Sequence, residues 1–230
     1  MHIRGTAPPP LHINGEEVEF VTSFTYLGSV ITNNGSILPE INRRRALAAS
    51  AMKTLWKPLW RHHSITRETK LRIYNTSVLS ILLYGAETWP LNKTLAARVD
   101  GFDTRALRTI EGIKWQDRVS NIRLRERTQQ TPASRLAAQR RMRWYGHVKR
   151  LPPDHPTRTI LEFQPKDAGW QRPRGAPRTR WIDAVTRDLH QMGLSLAEAQ
   201  QLALDRPKWR RMVKLIGSTH GVDPVAEQET

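Results

Sequence analysis

The chain has 230 residues, 38% of them hydrophobic, and carries 37 Lys and Arg against 21 Asp and Glu, a formal charge of +16. This length allows one large domain or two small ones around a buried core, and the basic excess points to nucleic acid or, less often, an anionic membrane surface. Cysteine is absent, which excludes disulfides and thiolate zinc sites.

The amino-terminal MHIRGTAPPP lacks the apolar stretch of a secretory signal, and no apolar run nears the roughly 20 residues of a membrane helix. The expectation is an intracellular protein, in nucleus or cytoplasm and not secreted. In LHINGEEVEFV, Asn14-Gly15 is a two-residue hairpin turn. Leu11 and Ile13 fall on one strand, Val18 and Phe20 on the next. SFTYLGSVIT gives a third strand, and three strands can form a small sheet that must pack on something else.

Pro39 opens a helix toward Trp60, with Ile41, Ala48, Met52, Leu55 and Leu59 on its apolar face. Arg43, Arg44 and Arg45 crowd its first turn, where each cation opposes the helix dipole by about 0.3–1 kcal/mol. That cost suggests a bound anion, although exposed arginines need none. A second helix follows the caps Ser64 and Thr66, with Leu71, Tyr74, Val78, Ile81 and Leu82 at helical spacing. A third begins after Asn92 or Thr94 and stops at Gly112, its inner face Leu95, Val99, Phe102, Ala106 and Ile110.

The stretch Thr131–Arg150 then carries Arg135, Arg140, Arg141, Arg143, Lys149 and Arg150 without one acidic residue. Thr131 is its expected cap and Pro132 its first residue. Leu136, Met142, Trp144, Tyr145 and Val148 make its apolar side. A soluble helix normally mixes both signs of charge, so this one is read as meeting polyanion. A Pro- and Gly-rich passage follows with Arg172, Arg174, Arg178 and Arg180. Trp181, Val185, Leu189 and Met192 mark a short helix, Ser195 with Glu198 a capping box, and Asp205 the cap of a last helix carrying Trp209, Met212, Val213 and Ile216. The tail after Gly217 reads as disordered.

Catalytic patterns are nearly absent: no Gly-x-Ser-x-Gly elbow, no phosphate loop and no adjacent aspartates. Asp100 and Asp103 share a helix face, a spacing far more common on solvated helices than at metals. His62-His63 and His147 with His155 are poorly spaced for zinc, which leaves His147 buried or facing phosphate. Most of the eight tryptophans fall on apolar helix faces. Trp170, among Gly169, Arg172 and Arg174, is the best candidate for base stacking. No metal and no cofactor are expected, nor a small-molecule substrate.

Seven motifs in order resemble the carboxy-terminal part of endonuclease–reverse transcriptases of non-LTR (LINE-type) retrotransposons, of RTE-like and related clades. They are FTYLGSVIT, EINRRRALA, TKLRIYNTSVLSILLYGAETW, FDTRALRTIEGIKW, RRMRWYGHVKR, TRWIDAVTRDL and DRPKWRRMV. The resemblance runs from about Leu11 to Val213. It implies that Phe24, Tyr26, Leu27 and Gly28 lie at a palm–thumb junction and that residues 39–118 form a thumb. By the same resemblance, the basic region 119–180 belongs to nucleic-acid binding. Gly175-Ala176-Pro177 stands where the family has Gly-Arg-Pro.

The endonuclease and the palm with its paired aspartates are missing from this sequence. Two-metal nucleotidyl transfer needs those carboxylates, so no enzyme activity is expected of the chain alone. The fold expected is mainly α. A small antiparallel β element at 1–38 precedes a helical bundle at 39–118, a basic region at 119–180, short helices at 181–217 and a tail at 218–230. The function expected is binding of RNA or DNA backbone through Arg140, Arg141, Arg143, His147, Lys149 and Arg150, with Arg172, Arg174, Arg178 and Arg180. A polymerase component acting with a separate palm, and a translated remnant with no biochemical role, are the alternatives.

Overall fold

The computed structural model describes residues 10–163 and 179–218. It is mainly helical, with two small β hairpins at the amino-terminal end. The first pairs β1 (His12–Ile13) with β2 (Glu16–Glu17), across Asn14 and Gly15 at φ 54° and 84°. The second pairs β3 (Ser23–Tyr26) with β4 (Ser29–Thr32). These are separate two-stranded sheets, which corrects the expectation of one three-stranded sheet. SFTYLGSVIT folds back on itself because Leu27 and Gly28 both take positive φ, 47° and 78°.

A leucine at positive φ is strained, and four groups hold this turn. Tyr84 Oη donates to the Leu27 carbonyl at 2.9 Å. Arg43 Nη1 donates to the Gly28 carbonyl at 2.7 Å, and Arg44 Nη2 donates to the same oxygen. Glu40 accepts the Val30 N–H at 2.7 Å. The hairpin is thereby pinned to α1 (Leu38–Thr54).

α1 ends in a wide turn, Trp56–Trp60. Pro58 has no N–H to continue the ladder, and the Leu55 carbonyl takes both Leu59 N and Trp60 N. α2 (Arg67–Ile73), capped by Thr66, runs through a second wide segment, Tyr74–Leu79, into α3 (Ser80–Leu82). α4 (Lys93–Glu111) starts at the Asn92 cap and stops at Gly112, φ 68°. A short helix α5 (Asn121–Thr128) leads to α6 (Ala133–Lys149), then α7 (Pro156–Glu162). After the gap in the described residues come α8 (Trp181–Gln191), α9 (Leu196–Leu204) with the Ser195–Glu198 capping box, and α10 (Arg206–Ser218). The tail expected to be disordered lies outside the described residues.

Two hydrophobic cores meet along α6. The first gathers Ile41, Tyr74, Val78, Leu82, Trp89, Val99, Phe102 and Leu107 and is closed by Leu124, Ala133 and Ala137. The second joins Met142 and Tyr145 to Val185, Leu189, Ala199, Ala203, Trp209 and Val213. The Arg-rich helix is therefore the joint between the cores. Trp144, expected on its apolar side, faces solvent.

Candidate nucleic-acid interface

Most cations of α6 are engaged inside the protein. Arg141 is 2% exposed. Its Nε and Nη2 donate to Asp188 Oδ2 at 2.8 and 2.6 Å, and Nη1 donates to the Trp89 carbonyl at 2.5 Å. Burial pushes the Asp188 carboxyl up while Arg141 opposes the shift. Arg140 reaches the Leu83 carbonyl and Arg150 the Ala203 carbonyl. Burial pulls both guanidinium pKa values below their usual range. Lys149 is buried and donates to Glu162 at 3.0 Å. Arg141 and Lys149 are thus removed from any surface, which corrects their assignment as phosphate contacts; the groups that a polyanion would neutralise are already satisfied.

The same correction applies to α1. Arg44 is buried, donates to Glu40 Oε1 at 2.6 Å and lies 4.2 Å from the centre of the Tyr84 ring. The compensation for Arg43 and Arg44 is internal: the Glu40 carboxylate and the Gly28 carbonyl. Arg45, half-buried, is the third of the group. Phe24, Tyr26 and Leu27 stay exposed on the hairpin that Arg43 and Arg44 clamp at Gly28.

On the outer side of α6 remain Arg143, hydrogen-bonded to Gln139 of the same helix at 3.0 Å, and His147. The His147 ring lies 5.4 Å from that of Trp144, so the histidine is on the surface and not in the core. Arg180 is exposed and pairs with Asp183 at the start of α8. Trp170, Arg172, Arg174 and Arg178 lie outside the described residues.

The two α4 aspartates cap α6. Thr131, expected as the cap of α6, is displaced from that role because the helix starts one residue later, with Pro132 in the cap position. Proline has no side-chain acceptor to offer. Asp100 accepts Ser134 N at 2.8 Å and Ser134 Oγ at 2.6 Å. Asp103 accepts Ala133 N, and also Tyr74 Oη at 2.5 Å and Arg125 Nη2 at 2.6 Å. Carboxylates at a helix start satisfy orphan N–H groups and complement the dipole. Asp100→Ala is therefore expected to lower stability by about 1 kcal/mol, read as a lower urea midpoint at unchanged slope. Among the described residues no group of three His, Asp or Glu side chains is placed to hold a metal, and no helix is long and apolar enough to cross a membrane.

Two residues with large structural roles gave little signal in the sequence. Gly146, inside α6, lets the Trp209 indole lie directly on the helix backbone. Its signal was only that of a glycine inside a periodic helix. Asp188 carries no local signal, because its partner Arg141 lies 47 residues earlier in the chain.

A family model described as a domain of unknown function, DUF6451, matches residues 52–84. No solved structure matches the chain. An uncharacterized transposon-derived protein of Caenorhabditis elegans is 27% identical over 206 residues, covering 86% of this chain and 72% of that protein. The chain is thus similar to a transposon-derived protein over most of its length.

Proposed function

We propose that the chain is the thumb and following region of a LINE-type reverse transcriptase, and that it holds RNA or DNA backbone without catalysis of its own. The observation that carries this reading is the likeness to a transposon-derived protein in a chain of charge +16. The seven ordered motifs supply the finer family. Because Arg141 and Lys149 are structural, the contacts fall to Arg143 and His147, to Arg180, and to Arg172, Arg174 and Arg178 with Trp170. A titration of labelled single-stranded RNA or DNA against salt tests this. With about six phosphate contacts, log K falls against log salt with a slope of roughly −4. A flat response, or no binding at about 50 mM salt, overturns it.

A second reading, a polymerase component acting with a palm in trans, draws on the exposed hairpin. Leu27 is 76% exposed and Tyr26 58%, apolar surface suited to a further β layer. Primer extension separates the two. The chain alone yields no product under either reading, whereas product on addition of a separately expressed palm selects the second.

A further inference from the structure

From Ile41 to Arg67 the sequence has no acidic residue, and the geometry concentrates the resulting charge at one corner. There α1 ends in the wide turn around Pro58 and the chain bends toward α2. Trp60 is buried and its indole donates to the Met52 carbonyl at 2.9 Å. Buried Lys70, from α2, donates to the Trp60 carbonyl at 3.1 Å. Both interactions fix the corner from inside, and Lys70 adds a positive charge behind it.

Outside, Lys57, Arg61 and His62 line an open pocket of about 270 Å³. With the described residues, none of the three makes a side-chain hydrogen bond or ion pair. The first acid after Glu40 along the chain, Glu68, is exposed and already pairs with Arg67 at 3.3 Å. Trp56, the residue before Lys57, is 45% exposed, while Trp60 at the other end of the same turn is buried. Two cations and an imidazole, unpaired among the described residues, with an indole left in water are the chemistry of a single-strand site, where polar and basic groups follow phosphates and an aromatic ring stacks on a base.

We propose that this corner binds single-stranded nucleic acid, Lys57, Arg61 and His62 meeting the phosphates and Trp56 stacking on a base. The inference rests on the nucleic-acid reading above and adds a second grip, away from α6. Five forms of the full chain are compared by fluorescence anisotropy on labelled oligothymidylate: wild type, K57E/R61E, K57Q/R61Q, W56A, and R98E/R105E at exposed positions of α4 as a control of equal charge change to K57E/R61E. Inorganic polyphosphate, which has no bases, is the second probe.

At about 0.1 M salt, K57E/R61E binds oligothymidylate at least tenfold more weakly, and its salt slope is shallower by about 1.4, two contacts at about 0.7 each. The control stays within about threefold of wild type by comparison of long-range screening. W56A loses about tenfold on oligothymidylate and nothing on polyphosphate. K57Q/R61Q moves in the same direction as K57E/R61E, and thermal melting of each variant verifies folding. Equal losses in K57E/R61E and R98E/R105E, or none in either, overturn the corner while leaving the general reading in place. A W56A loss that is equal on both probes overturns the stacking role. Absence of binding by the wild-type chain overturns both proposals.

Discussion

Gly146→Ala is expected to destabilise the chain by about 3 kcal/mol, the sum of an overpacking cost and a lost buried hydrogen bond less the helix propensity of alanine. A Cβ at this position would stand 2.1 Å from Trp209 Nε1 and 2.3 Å from Cδ1, well inside van der Waals contact. The backbone of α6 cannot retreat, since Met142, Tyr145 and Val148 bury the same face. The indole must move instead. It then gives up its 2.9 Å hydrogen bond to the Met142 carbonyl and its packing on Tyr145. Urea denaturation measures the loss. Gly101→Ala on α4 is the internal control, because a Cβ there meets nothing within 4 Å, and it should stabilise by up to about 1 kcal/mol. In a Trp209→Leu background the cost of Gly146→Ala should largely vanish, the signature of a direct contact in a double-mutant cycle. A Gly146→Ala protein as stable as wild type would refute the packing argument.

How far the fold was legible follows from the range of the interactions concerned. Helices α1, α2, α4, α9 and α10 were readable because periodicity and caps are local: Thr66, Asn92, Ser195 and Asp205 each accept an N–H three residues on. The second hairpin was missed because its turn places a leucine at positive φ, which no local preference favours. That turn depends on Tyr84, 57 residues away. The α6 charges were misjudged for the same reason. A run of arginines without acids shows what one segment holds, but the acceptors come from elsewhere. Arg141 meets Asp188 47 residues later, Arg140 meets the Leu83 carbonyl 57 residues earlier, and Arg150 meets the Ala203 carbonyl 53 residues later. At the corner of α1 the reverse held. The His62-His63 pair was weighed for metal, while the pocket places His62 with Lys57 and Arg61.

Asp188→Ala should cost about 3–5 kcal/mol, the range for breaking a buried ion pair from one side. An arginine guanidinium has no neutral form to fall back on inside a protein, and with Asp188 gone the Trp89 carbonyl is the acceptor left to buried Arg141 among the described residues. Removing the other partner is less severe. In Arg141→Met the carboxyl of Asp188 loses its cation but can take up a proton, and burial already pushes its pKa upward. The native pKa then lies above the unfolded value, so the folded state binds the proton more tightly. Stability of Arg141→Met must therefore fall as pH rises through the window between the two values, and the deficit relative to wild type must shrink on the acid side. Asp188→Ala has no such group and should show no comparable recovery in acid. Urea midpoints at several pH values distinguish the two variants. The double variant Arg141→Met/Asp188→Leu closes the cycle: with both charges replaced by apolar side chains it should recover most of the loss. If it does so and still binds nucleic acid with the wild-type salt slope, the most buried cation of the Arg-rich helix is an internal strut, and the polyanion grip must be sought on the outer surface.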